Sequence, residues 1–220
     1  MNKRSKKNLS FISRKIRSFE KKIIPKNLTF FAGVDEVGRG CIAGPVVAAA
    51  VIFPINSRPI PGVFDSKQLS KFQREDVCSE IYKRSVSIGI GLVENTVIDK
   101  INIHNASIKA MKIALDNLKI KPEFVLIDAI KIPSLEIPQK PIIKGDEKCY
   151  SVAAASIVAK VWRDSLMTKL HDVYPHYDFK SNKGYFSRNH VKGIKEKGLC
   201  EIHRFSFSIV KKFLNIDSKF

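Results

Sequence analysis

The chain has 220 residues, 44% hydrophobic and 27% charged, which is enough for one sizeable core, short for two, and excludes wholesale disorder. Its 39 Lys and Arg against 21 Asp and Glu leave a net charge of +18, which favours a polyanionic partner by counterion release over the alternatives of solubility or an anionic membrane surface. The longest apolar stretch, Ala43 to Phe53, is far short of the ~20 residues of a membrane span, no secretory signal is present, and Cys41, Cys78, Cys149 and Cys200 form no CxxC pair, so reduced thiols and a cytoplasmic location without membrane attachment are expected.

Residues 1–27 hold ten Lys and Arg against Glu20 alone, so half of the surplus lies in a basic N-terminal extension. Ile12, Ile16, Phe19 and Ile23 recur at spacings of 4, 3 and 4, which allows an amphipathic helix ended by Pro25; a solvated basic tail is the alternative. The compact domain is expected over 28–220. Strands are predicted at Thr29 to Asp35, Val46 to Phe53 and Ser85 to Val93, with a proline-rich loop from Pro54 to Gly62. Ser70 with Gln73 makes a capping box for a helix to about Arg84, and Ile108, Met111, Leu115 and Leu118 line one face of another. A buried strand follows at Glu123 to Asp128, a short one at Pro141 to Lys144, and the longest helix at Tyr150 to His171, with Trp162 read as a core residue. From Asp172 to the end, 172–220, a helical C-terminal part is predicted, with one helix ending near Gly198 and another over Ser206 to Leu214. Three early strands, helices and two more strands imply an α/β domain with a mixed five-stranded sheet flanked by helices.

Asp35 and Glu36 close an apolar strand and run into Gly38-Arg39-Gly40. Neighbouring strand residues point to opposite faces, so both carboxylates serve one site only where the strand ends and the backbone turns. Asp128 ends another apolar strand, and Asp146 follows a short apolar segment in Lys144-Gly145-Asp146. Strand ends of an α/β sheet are where ligand crevices form. Each Asp by itself reads most simply as a cap or a strand tip. If the four converge, oxygen donors without histidine or thiolate favour Mg²⁺ or Mn²⁺ over zinc. Divalent cations between such a pocket and a phosphate would reconcile an acidic site with a basic chain.

The string Gly33-Val34-Asp35-Glu36-Val37-Gly38-Arg39-Gly40, followed by Ala43-Gly44-Pro45-Val46-Val47-Ala48-Ala49-Ala50, resembles the opening signature of bacterial ribonuclease HII. Asp65-Ser66-Lys67-Gln68-Leu69-Ser70, Ile127-Asp128, Lys144-Gly145-Asp146, Ala153 to Lys160, Asn182-Lys183-Gly184-Tyr185 and His203-Arg204-Phe205-Ser206-Phe207 continue the likeness in order, over roughly Phe31 to Phe207. The resemblance implies a ribonuclease H-like fold and a metal-dependent endoribonuclease. Such an enzyme hydrolyses the phosphodiester 5′ of a ribonucleotide, in RNA/DNA hybrids or singly embedded in duplex DNA, leaving 3′-hydroxyl and 5′-phosphate ends. Asp35, Glu36, Asp128 and Asp146 fall on the family's four catalytic, metal-holding carboxylates, which implies two cations, Mg²⁺ or Mn²⁺, about 3.5 to 4 Å apart.

By the same likeness the backbone of Gly38, Arg39 and Gly40 hydrogen-bonds the ribose 2′-hydroxyl, and Tyr185 stacks on the sugar of the following nucleotide. Lys67 meets a phosphate near the scissile bond, and Ser156, Lys160 and Lys183 are candidates for lining the substrate groove. The family default is a monomer, and a sliding clamp is a candidate partner. Cys41, Ala129 and Phe186 depart from the pattern, standing where proline, glycine and glycine are usual. Two other readings stay open here: a ribonuclease HIII-type enzyme, for which 1–27 leaves little room before the core, and a nonenzymatic basic nucleic-acid-binding protein, which would have no use for an acidic crevice.

Overall fold

The computed structural model describes residues 3–133 and 135–214. Five strands form one sheet: β1 (Phe31–Val37), β2 (Val46–Ile52), β3 (Ser87–Val93), β4 (Phe124–Asp128) and β5 (Gln139–Ile142), in the order β3-β2-β1-β4-β5. The first three pair antiparallel, while β4 runs parallel to β1 and β5 parallel to β4, so the sheet is mixed as predicted. Every residue of β2 is buried, because the strand is covered on both faces. The short strand begins at Gln139, two residues before its expected start, and carries Pro141 inside it; a sheet edge tolerates the missing N–H, and β5 is an edge.

The helices are α1 (Lys3–Ile23), α2 (Lys71–Arg84), α3 (Asn95–Asp116), α4 (Gly145–Lys148), α5 (Tyr150–Val173), α6 (Phe179–Asn182), α7 (Arg188–Lys197) and α8 (Ser208–Leu214). The capping box of Ser70 and Gln73 opens α2 as predicted. α3 starts well before its predicted apolar stripe and contains a kink at Asn102, whose φ is +65°. It covers one face of the sheet over Val34, Ala48, Ala50 and Ile127, while α1, α2 and α5 cover the other over Ala49, Val51 and Phe53. The central contact is close because Gly33 lacks a Cβ, which would stand 2.2 Å from the Ser151 carbonyl carbon of α5. A smaller core joins Ile42 and Ala43 to Met167, Tyr177, Phe179, Ile194 and Val210, and so ties the C-terminal helices to the body. None of the described helices is long and apolar enough to cross a membrane.

The basic extension is helix α1, and it is built into the body. The buried stripe differs from the predicted one: Ser13, Ile16, Arg17 and Glu20 are buried, whereas Phe19 points outward. Arg17 and Glu20 pair at 2.7 Å, and Arg17 also donates to the Pro54 and Ile55 carbonyls at 2.8 and 3.2 Å. The Glu20 carboxylate accepts from the Ser151 amide and hydroxyl at 2.6 and 2.5 Å. Cys149 at the start of α5 offers no side-chain cap, so Glu20 supplies the missing acceptor from another helix. Burial raises the Glu20 pKa, opposed by Arg17 and the bonds from Ser151. Arg14, Lys15, Lys21 and Lys22 keep their charges on the outer face.

Candidate active site

The parallel pairing of β1 with β4 ends at Val34 beside Ile127, so the next residues, Asp35 and Asp128, stand next to each other on adjacent strands; β1 runs on to Val37, two residues past its predicted end, with Asp35 and Glu36 still paired to Ala49 and Ala48 of β2. β5 then delivers α4 to the same edge, where the Gly145 amide donates to Asp128 Oδ1 at 2.6 Å and Asp146 follows. Asp35 and Asp146 are buried, as is the side chain of Glu36. Burial, then the charges of Glu36 and Asp128, push the Asp35 carboxyl well above the usual carboxylate range, with Asp146 adding to the shift and a Ser156 hydrogen bond opposing it. Burial also raises Glu36 against the pull of Arg39, and raises Asp128 against the Gly145 amide.

Two cations of the chain partly offset this crowding: Arg39 Nη1 lies 3.1 Å from Glu36 Oε1 and Lys67 Nζ 3.1 Å from Asp146 Oδ2. Glu36 Oε2 is buried with no hydrogen-bond partner. Among the described residues no three His, Cys, Asp or Glu side chains already close on one point as a metal-holding group. Like charges held apart by repulsion, with oxygens taken up by Arg39, Lys67 and Gly145, account for that spread. The donor set is all carboxylate, crowded and short of positive charge, with one buried oxygen unsatisfied, so its chemistry fits a hard divalent cation.

The other predicted residues are placed unevenly. Lys67 sits in the short 3₁₀ turn Ser66–Gln68, which Asp65 caps by accepting from the Lys67 amide at 3.0 Å. Ser156 is buried and bonds Ser66 Oγ at 3.1 Å, so it stands behind Asp35 and ties that turn to α5. Gly38 has φ +94° and turns the chain out of β1. Tyr185 is 42% exposed next to Gly40, and Lys160 Nζ lies 5.9 Å from its ring centre while pairing with Asp164 at 2.8 Å. The structure does not bring the Lys183 ammonium to the carboxylates: it donates to Thr168 Oγ1 and the Lys180 carbonyl at 2.8 and 2.6 Å.

Several residues behind the site escaped the sequence reading. Trp162, expected in the core, is half-buried, and its neighbour Arg163 is the one fully inside. Arg204 and the histidines His190 and His203 are buried as well. The Cys200 amide donates to His203 Nδ1 at 2.9 Å, which leaves His203 Nε2–H to donate to His190 Nε2 at 3.0 Å and His190 Nδ1–H to donate to the Tyr185 carbonyl at 2.8 Å. This chain needs both rings neutral; burial lowers His190, and burial with the His190 charge lowers His203 to about 4. The string His203-Arg204-Phe205-Ser206-Phe207 was the available signal, but charge and hydropathy assign these residues to the surface.

A family model described as Ribonuclease HII matches residues 32–210. The Ribonuclease HII of Caldanaerobacter subterraneus subsp. tengcongensis is 49% identical over 199 residues, 90% of this chain and 81% of that protein. The ribonuclease H2 structure from Pyrococcus horikoshii OT3 matches with a TM-score of 0.74 at 29% identity, covering 87% of this chain and 100% of that one. The RNase HII of Archaeoglobus fulgidus, solved as a complex with PCNA, matches with a TM-score of 0.66 at 28% identity, covering 81% of this chain and 95% of that one.

Proposed function

The chain belongs to the ribonuclease HII family, and from that premise we propose which of its residues perform the hydrolysis and on what substrate. It is an endoribonuclease of RNA/DNA hybrids and depends on a divalent metal ion, which removes the nonenzymatic and ribonuclease HIII-type alternatives. The observation that carries the assignment of residues is the meeting of Asp35, Glu36, Asp128 and Asp146 at one sheet edge with a buried, unpartnered Glu36 oxygen.

These four carboxylates would hold two ions, Mg²⁺ or Mn²⁺, whose chemistry when bound is activation of the attacking water and stabilisation of the leaving 3′-oxygen. The raised Asp35 carboxyl is the group that gains most from added positive charge, since burial and three neighbouring acids oppose its ionisation. Arg39 and Lys67 hold Glu36 and Asp146 in place through ion pairs at 3.1 Å each. Lys67, released from Asp146, is placed to meet a substrate phosphate. The backbone of Gly38, Arg39 and Gly40 reads the ribose 2′-hydroxyl, and Tyr185 stacks on the next sugar with Lys160 beside its ring. For Lys183 the backbone carbonyl is the working group, because the ammonium is engaged elsewhere. The cut falls 5′ of the ribonucleotide, leaving 3′-hydroxyl and 5′-phosphate ends, and a single embedded ribonucleotide suffices. The PCNA complex of the Archaeoglobus fulgidus relative supports a sliding clamp as a partner of this chain.

The test is cleavage of duplex DNA containing one ribonucleotide, with Mg²⁺ and Mn²⁺ in turn and the product ends mapped. Asp35→Asn is expected to lower kcat at least about 100-fold, since a lost metal contact removes several kcal/mol of transition-state stabilisation. Undiminished cleavage by that variant, or in the presence of a chelator, would overturn the assignment.

A further inference from the structure

Among the described residues two arginines are fully buried, Arg163 on α5 and Arg204 after α7, and neither is hydrogen-bonded or ion-paired to a carboxylate there. A guanidinium taken out of water is costly unless its donors are satisfied. Here the bonds that form go to backbone carbonyls, and Arg204 Nη2 is left buried without a partner. Arg163 donates to Pro45 at 2.9 Å, to Ala43 at 3.2 Å and to Lys183 at 2.8 Å. Arg204 donates to Gly44 at 2.9 Å and to Arg39 at 3.1 Å. All five acceptors belong to two segments, 39–45 and the turn ahead of Tyr185. Those are the segments to which ribose reading and sugar stacking are assigned above.

We propose that Arg163 and Arg204 are positioning residues for ribonucleotide selection, locking the Gly38-Arg39-Gly40 loop and the Tyr185 turn into one rigid reading unit. The proposal deepens the functional reading above and rests on it. Arg163 bridges the two segments directly, and its Nε would lie 2.3 Å from a Cβ on Gly38, so its side chain packs closely against the loop at a residue without a Cβ. The Ile42 amide donates to the Gly184 carbonyl at 2.9 Å, and the Arg204 amide to the Ile42 carbonyl at 2.9 Å, which closes the unit from both sides. His190 then holds the carbonyl of Tyr185 itself at 2.8 Å.

Arg204 does more than stiffen. A trans peptide points its C=O and N–H in opposite directions. With the Arg39 carbonyl drawn inward to Arg204, the Gly40 N–H of the same peptide faces away from the protein interior, and it has no protein acceptor among the described residues. The geometry therefore presents a fixed donor, on a residue without a side chain, next to Tyr185. A DNA nucleotide has no 2′-oxygen to accept from it, so fixing this peptide separates ribose from deoxyribose. Lysine cannot replace either arginine, because an ammonium lacks the planar fork that reaches several carbonyls at once.

The experiment compares the native enzyme with Arg204→Lys and Arg163→Lys in steady-state cleavage of a one-ribonucleotide duplex, with an all-DNA duplex of the same sequence as competitive inhibitor. Each variant is expected to raise KM for the ribonucleotide substrate at least 10-fold while the inhibition constant of the all-DNA duplex stays within 2-fold. A KM and an inhibition constant that move together, or a KM that does not move, would overturn the proposal. If the native enzyme itself fails to cleave, the functional reading fails; if it cleaves and discriminates like its variants, only this inference does. Should a variant not unfold cooperatively, amide exchange of the native protein decides: the Ile42 amide exchanges as slowly as core β1 if the unit is rigid, and as fast as an exposed loop if it is not.

Discussion

Ala129 has φ +49°, a left-handed conformation that costs a residue with a Cβ about 1 kcal/mol or more. It directly follows Asp128, where glycine is usual in the family that the chain resembles, so the departure noted in the sequence becomes backbone strain beside one of the four clustered carboxylates. Ala129→Gly is expected to stabilise the protein by about 0.5 to 1 kcal/mol, the relief of strain exceeding the added chain entropy, as a higher midpoint in urea unfolding. At this scale the acidic residues were legible because an Asp that interrupts an apolar run stands out against its surroundings. Arg163 and Arg204 were not. A charged side chain is read as surface unless its partners are known, and theirs are carbonyls 20 to 165 residues away in the chain.

Helix α1 shows what composition conceals at the scale of an element. Nine Lys and Arg against one acid mark it as a polyanion-binding arm, yet that acid, Glu20, is a buried cap for the helix that follows Asp146. Replacing Glu20 with Gln leaves Arg17 as an uncompensated buried cation and weakens the cap, with an expected loss of about 3 kcal/mol in urea unfolding. An exposed neighbour such as Lys21→Gln is expected to change stability by no more than about 0.5 kcal/mol. Equal effects from the two would mean that α1 does not brace α5. Periodicity found this helix but misplaced its buried face, because Phe19 is apolar and exposed while Arg17 and Glu20 are charged and inside. The same rule missed the first half of α3, where Asn102 interrupts the helical backbone and with it the apolar repeat.

For the molecule as a whole, the seam between the sheet domain and the C-terminal helices contains the His190–His203 pair. Both rings must be neutral for that seam to close, and His203 is held down at about 4 against an ordinary value of 6.5. Below pH 6.5 the unfolded chain binds a proton that the folded chain refuses, so stability is full above that pH and declines as pH falls toward 4. A depression of that size corresponds to about 3 kcal/mol for His203. Relative to the native protein, the urea midpoint of His203→Asn should therefore lose less, or gain more, between pH 7 and 4.5, provided that variant folds; parallel curves would refute the role of the pair.

The charge of +18 also divides at this scale. Its outer part decorates α1 and the surface, while the buried cations Arg163 and Arg204 act on backbone and Arg39 and Lys67 on the acids. Local order sufficed for the existence of the five strands, the capping box of α2 and the mixed sheet, since each is written in adjacent residues and short periodicities, whereas the grouping of the four carboxylates was implied only by the family resemblance. Tertiary structure alone decided that β4 lies beside β1, that the Lys183 ammonium bonds Thr168 and the Lys180 carbonyl, that α1 is part of the body, and that two arginines and His190 are buried against backbone carbonyls of residues 39–45 and 183–185, with His203 bonded to His190. Those outcomes depend on contacts between residues far apart in the chain, and a residue's local neighbours carry no record of which distant donor will meet its carbonyl.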